Sequence, residues 1–238
     1  MKKVIGIVIA DEMEFKPFTE YAQKHFPCQA GMRRGNESLS VTLQHDEDEL
    51  LIHAVKCGIG KVNAASAAAF LIADDGAHII LNAGLSGAVK GVHREEIVIG
   101  SSYVEADFDL TAIGYELGAK PGQEFIYQAD SELLALSKAV FPALKSGRLG
   151  CGDIFLADLE KKKRFDDAFD LCAFDMETGA IASVCRKANV PFLAIRKVSD
   201  DADDCAIQDY QEMNDRAEAD LTELLFRLLD KILATSVG

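Results

Sequence analysis

Residues 4–10 (VIGIVIA) form a short, β-branched and almost unbroken apolar run. A strand with one solvated face alternates apolar and polar residues. This run instead reads as a strand buried on both faces, inside a sheet that helices cover. Similar runs recur at 78–82 (HIILN) and 191–198 (PFLAIRKV), with strand-like stretches at 39–43, 50–55, 96–104 and 148–153. Helical stretches fall at 13–25, 62–73, 130–140, 177–188 and 211–233. The second is alanine-rich, as close packing on a sheet requires, and the last carries repeated leucines. Alternating strands and helices make the class α/β with a largely internal sheet. Residues 45–49 (HDEDE) read as a polar hairpin loop, and 116–123, with Gly118, Pro121 and Gly122, as a longer loop. One domain over 1–238 is expected.

Charge narrows the partners. The chain of 238 residues carries 25 Lys and Arg against 39 Asp and Glu, a net charge of −14. Such a chain is repelled by phosphate backbones and anionic membrane surfaces, so neither nucleic acid nor membrane is expected as a partner. The basic cluster Lys161, Lys162, Lys163 and Arg164 is followed by Asp166 and Asp167 and reads as a solvated helix face. No apolar run approaches the length of a membrane span. Residues 4–10 meet Asp11 and Glu12 without a small-residue cleavage site, unlike a signal peptide. Six scattered cysteines without a CxxC pair suit free thiols in a reducing, cytoplasmic setting.

Two glycine clusters follow strand-like runs: Cys57-Gly58-Ile59-Gly60-Lys61 and Ala83-Gly84-Leu85-Ser86-Gly87. The first fails as a P-loop, since Val55 and Val62 stand where Gly and Ser or Thr are needed, and as a dinucleotide fingerprint, since Asn63 replaces the third glycine. Both read as turns that allow close helix-to-sheet packing. The five histidines have no zinc spacing, and no G-x-S-x-G elbow occurs. Carboxylates are more informative by position. Glu14 lies just past the first strand, Glu177 opens a helix, and Asp200 ends the strand PFLAIRKVSD at 191–200. Ligands of open α/β sheets bind beyond the carboxyl ends of strands, so these acids are candidates for one pocket. Each taken alone reads as a cap or a solvated acid, and the run Asp200, Asp201, Asp203, Asp204 as a solvated turn rather than a metal loop.

Taken in order, GIVIADEMEF, CGIGKVNAA, NAGLSGA, DLTAIGYELGAKPG, CGDIFL, DMETGAIASVC and VPFLAIRKVSDDAD resemble the bacterial 5'-methylthioadenosine/S-adenosylhomocysteine nucleosidases of the nucleoside phosphorylase superfamily. The resemblance spans nearly the whole chain. It implies a central twisted mixed β-sheet flanked by helices and hydrolysis of the bond between ribose C1' and adenine N9, without metal or other cofactor. Such chemistry needs an acid for the leaving base, a base for water, and an anchor for the ribose. By this resemblance Asp200 protonates adenine N7, Glu14 activates water and must stay ionised, and Glu177 accepts from the ribose hydroxyls. Arg196 holds the water and its base, and Ser199 orients Asp200. Phe155 stacks on adenine, the Leu156 backbone reads the base edge, and Met176 lies under the ribose. Ile59 and Tyr210 border the 5' substituent. Leu110, Ile113 and Pro121 close that end from a second subunit, since members of the family are dimers.

Three positions depart from the family pattern. Asp11 stands where an apolar Met is usual, Leu85 replaces a small polar residue, and Tyr210 replaces Phe. Asp11 and Tyr210 add polarity beside the 5' group. Two rivals to hydrolysis stay open: a purine nucleoside phosphorylase using phosphate, and a catalytically weak nucleoside-binding relative.

Overall fold

The computed structural model describes residues 2–45, 48–212 and 215–235. Its elements are β1 (Lys2–Ile9), α1 (Glu12–His25), β2 (Cys28–Arg33), β3 (Asn36–His45), β4 (Asp48–Lys56), α2 (Lys61–Ala73), β5 (Ile79–Ala88) and β6 (Ile97–Glu105). There follow β7 (Ile126–Gln128), α3 (Ser131–Val140), β8 (Lys145–Cys151), α4 (Leu159–Phe169), β9 (Ala173–Asp175), α5 (Thr178–Ala188), β10 (Phe192–Asp200), α6 (Ala206–Glu212) and α7 (Asp215–Leu233).

The strands form one mixed sheet ordered β10-β6-β8-β9-β5-β1-β4-β3-β2, with β7 on β6. β5 also pairs with β10, so β5, β10, β6, β8 and β9 close into a ring while β1 to β4 extend from it as an open wing. β1 runs parallel to both β4 and β5, as its two-sided burial requires. β10 runs parallel to β5 and antiparallel to β6. Helices α1 and α7 pack together on one face, whereas α2 and α5 pack on the other. Side chains such as Ile5, Ile7, Ile52, Ile80, Leu193 and Leu228 fill the space between these layers.

The expected strand 78–82 is too short. β5 runs on through Ala88, so Gly84 and Gly87 lie in a strand and not in a turn. The glycines are there because side chains from neighbouring elements cross them. A Cβ on Gly84 would overlap the Arg196 guanidinium and the Glu14 carboxylate, and one on Gly87 would come within 2.8 Å of Asp200 Oδ1. β10 carries a bulge at the same place: Val198 pairs with Ser86, and Asp200 with the next residue, Gly87. One extra residue locally turns a strand and re-aims its side chains. It sets Asp200 over Gly87.

Other differences are local. β2, β7 and β9 are not among the expected elements, and α4 is the helix whose face the basic cluster is expected to form. β7 and β9 have three residues each, too few to show a period. α4 buries only Phe165 and Phe169, one turn apart, and its Lys161, Lys163 and Arg164 are solvent-facing as expected. The helix expected over 211–233 begins only at Asp215, with α6 as a separate piece before it. The hairpin loop is shorter than 45–49, because His45, Asp48 and Glu49 belong to β3 and β4, and its acidic tip at 46–47 lies outside the described residues.

Candidate active site

A cavity of about 300 Å³ opens beyond the carboxyl ends of β1, β5 and β10. Asp11, Glu14, Ile59, Leu85, Phe155, Leu156, Met176, Glu177, Ser199, Asp200 and Tyr210 line it, so most of the expected site residues meet in one place. Arg196 lies behind the lining. Leu110, Ile113 and Pro121 are not part of it, and Ile113 is 69 % exposed on the molecular surface.

Glu14 owes its position to a helix start. Asp11 caps α1 by accepting from the Glu14 N–H at 3.1 Å, and the Glu14 carboxylate reaches back to the Asp11 N–H, which makes a reciprocal capping box. That carboxylate also accepts from Ala10 N at 3.0 Å and, across the sheet, from Leu85 N at 2.7 Å. It is therefore fixed over β5 by backbone donors from two elements.

Arg196 is wholly buried, yet every route from it leads to a polar group. Its Nη2 donates to Asn82 Oδ1 at 2.5 Å and to Glu177 Oε2 at 3.2 Å, its Nη1 donates to the Leu85 carbonyl at 3.1 Å, and Nε faces Asp175 Oδ2 at 3.5 Å. Burial works against its charge, but the carboxylates of Asp175, Glu177 and Glu14 outweigh it and hold the guanidinium protonated. Glu177 uses its other oxygen to accept from Gly60 N at 3.1 Å, which links it to the loop ahead of α2. Asp175 caps the start of α5, accepting from the N–H groups of Glu177 and Thr178 at 2.8 Å and from the Thr178 hydroxyl at 2.7 Å. Asn82 and Asp175 were not among the expected site residues. Each had a signal: a polar residue ending the apolar run HIILN, and an aspartate three residues before a threonine at a helix start.

Asp200 ends β10, beside Gly87 of β5. Its Oδ1 accepts from Ala202 N at 2.9 Å, and Ser199 Oγ lies 2.6 Å from its Oδ2 and 3.2 Å from the Ser86 carbonyl. The contact suits the orienting role expected of Ser199. Glu14 and Asp200 thus meet β5 at two different residues, Gly84 and Gly87. Phe155 and Tyr210 close the outer wall, ring edge to face, with centroids 5.8 Å apart. Phe155 and Ile59 are 46 % and 51 % exposed, as befits side chains waiting on a ligand rather than filling a core.

Burial pushes the Asp200 carboxyl above its ordinary value, in the direction an acid requires. Burial pushes Glu14 up as well, to about 8, against the pull of Arg196 and with the help of Asp11 and Glu177. The expectation that Glu14 simply stays ionised is thereby corrected. Arg196 gives its hydrogen bonds to Glu177, Asn82 and Leu85 and acts on Glu14 only through space, which is too little to offset full burial. A base whose pKa sits near working pH is nonetheless well matched to accepting a proton. Glu177 is raised too, by burial first, with Arg196 opposing.

Among the described residues no cluster of His, Cys, Asp and Glu is arranged to hold a metal ion, and no helix is long and apolar enough to cross a membrane. All six cysteines are free, and Cys57, Cys151 and Cys185 are buried.

A profile of the phosphorylase superfamily matches residues 4–234. A 5'-methylthioadenosine/S-adenosylhomocysteine nucleosidase of Staphylococcus carnosus is 34 % identical over 181 residues, covering 74 % of this chain and 79 % of its own. The Helicobacter pylori enzyme of that name, solved in complex with a substituted pyrrolidin-3-ol, superposes with a TM-score of 0.89 at 26 % identity over 96 % of this chain and 98 % of its own. A futalosine hydrolase of Helicobacter pylori superposes with a TM-score of 0.87 at 25 % identity, covering 96 % and 98 %. The chain belongs to the phosphorylase superfamily and, within it, to the family of 5'-methylthioadenosine/S-adenosylhomocysteine nucleosidases.

Proposed function

We propose that the protein hydrolyses the N-glycosidic bond of a 5'-substituted adenosine of the methylthioadenosine or S-adenosylhomocysteine type and releases adenine. One observation carries this: Glu14, Glu177 and Asp200 line one cavity, with Glu14 beside Gly84, Asp200 beside Gly87 of β5, and Glu177 tied to Arg196 at 3.2 Å. A nucleoside laid along β5 has its sugar at one station and its base at the other. Adenine stacks on Phe155, with its edge toward Leu156, and Met176 lies under the ribose. Asp200, oriented by Ser199, delivers a proton to N7 as the bond to C1' lengthens. Glu177 accepts from the ribose hydroxyls and Glu14 takes a proton from the attacking water. Carboxylates on a sugar that becomes cationic stabilise the transition state more than the ground state.

Water is favoured over phosphate by the charges of the cavity. No Lys or Arg lines it among the described residues, and Arg196 behind it is already committed to Glu177, Asn82, Leu85 and Asp175. A phosphate nucleophile would meet carboxylates without a free cation. The decisive experiment is adenine release from methylthioadenosine in phosphate-free buffer. Equal rates with and without phosphate support hydrolysis, a strict phosphate requirement supports phosphorolysis, and binding without base release from any nucleoside leaves a binding protein.

The working unit in this proposal is a homodimer in the cytoplasm. Ile113, Tyr115 and Pro121 are exposed on the surface, where an apolar face of a partner chain would cover them, and six free thiols suit a reducing compartment.

A further inference from the structure

We infer that Asp11 and Tyr210 make the site selective for nucleosides that carry a hydrogen-bond donor on the first atom beyond C5', a hydroxyl or an amino group. This rests on the N-glycosidic hydrolysis proposed above and narrows its substrate range: a 5' thioether sulfur has no donor, so the thioether nucleosides are the weaker substrates. Asp175, Glu14, Glu177 and Asp200 are the other carboxylates of the cavity lining, and each is bound to a cap, a backbone donor or Arg196 through both of its oxygens or is assigned to the base or the ribose. Asp11 is different. Its Oδ1 accepts from Glu14 N, and among the described residues its Oδ2 is paired with the Tyr210 hydroxyl, at a long 3.3 Å. An ionised carboxylate offers about four lone-pair positions, so Asp11 retains acceptor capacity inside the cavity.

Its place fixes which substrate atom it can read. Asp11 and Glu14 share one capping box, so the Asp11 carboxylate lies within a helical turn of the group that addresses C1'. C5' belongs to the same furanose as C1', on the carbon next to the ring oxygen. A group attached directly to C5' is therefore within reach of Asp11 and Tyr210, and the far end of a long substituent is not. The phenol also lies 3.7 Å from Met13 Sδ, and its ring edge rests on Phe155, so the surroundings of the pair are largely apolar. There a donor gains a charge-assisted hydrogen bond, and a substituent without one leaves the carboxylate under-satisfied. Sites that hydrogen-bond a hydroxyl reject the analogue lacking it far better than apolar sites reject an extra methylene.

The test compares adenosine with 5'-deoxyadenosine, which differs only by the 5' hydroxyl, through kcat/KM for adenine release. In the natural protein adenosine is preferred by about tenfold, the size of one charge-assisted hydrogen bond at a half-buried site. Asp11→Ser keeps a good helix cap for Glu14 but removes the second oxygen, and it lowers that ratio to near one. Asp11→Asn keeps the shape and removes the charge, and serves as the second variant if the serine form does not fold; it also lowers the ratio. A ratio of one or below in the natural protein, or one that neither variant changes, overturns the inference and leaves Asp11 as a cap alone. Adenine release from methylthioadenosine, measured alongside, separates this outcome from failure of the proposed function, which would abolish release from all three nucleosides.

Discussion

The floor of the cavity and its rim are built by opposite rules. On the floor, Glu14, Glu177, Arg196 and Asp200 are held by backbone amides, carbonyls and one another, and each element that contributes is tied to β5 or β10. At the rim, Ile59 and Phe155 are about half exposed, and contact is made by ring faces and apolar edges; Ile113, outside the lining, is more exposed still. The difference separates a floor whose carboxylates and guanidinium are fixed by one chain from a rim left open to solvent. Burial makes the floor costly to alter and the rim cheap.

The largest effect should come from the floor. Asp200→Asn should lower kcat by about 10² to 10⁴-fold, the range for loss of a positioned acid, while a nucleoside inhibitor still binds within about tenfold. An active Asn variant, read by adenine release, would remove the acid role and with it the contrast between floor and rim.

A second test reads the burial of Glu14 through stability. Unfolded, its carboxyl releases its proton near 4.5; folded, it holds it to about 8. Between those values the folded state binds more protons, so this group's contribution is full below pH 4.5 and is lost as pH rises through 8. Unfolding free energy should therefore decline across that window by at most roughly 1.4 kcal/mol per pH unit on its account. Glu14→Gln should flatten the decline, as followed by denaturant titration at several pH values. Parallel curves for the two proteins would mean that the Glu14 site is wetter than its burial indicates.

The smallest effect on the chain itself belongs to the rim. Ile113→Asp should change the unfolding midpoint of the isolated chain by less than about 0.5 kcal/mol, as for a surface site, yet shift sedimentation toward the mass of one chain. A variant that stays dimeric would place the partner contact elsewhere.

Much of this was legible in the residues. Glu14 and Asp200 follow apolar runs, and the rule that α/β sheets bind ligands at strand exits singles them out before any fold is known. The outer wall needed the resemblance, because Phe155 or Ile59 alone is indistinguishable from core. Three things stayed hidden for physical reasons. Glycine in a strand looks like glycine in a turn, so β5 was cut short at Asn82 although it runs through Ala88. Asn82 and Asp175 matter through Arg196, a partner 114 residues from one and on a different strand from the other, and local pattern carries no trace of such a meeting. The protonation of Glu14 depends on how completely three elements cover it, which no spacing of residues encodes.

The two glycines of β5 also bear on how such a protein can change over generations. At Gly84 and Gly87 what is needed is the lack of a side chain, and no second substitution nearby can substitute for an empty place when the groups that fill it are the proposed reacting ones. Variation is thus channelled outward. A lineage can exchange Asp11 or Tyr210 and meet a different 5' group without disturbing the strand. Inherited diversity in a molecule of this design should appear as a shift of diet around an unchanging act of cleavage.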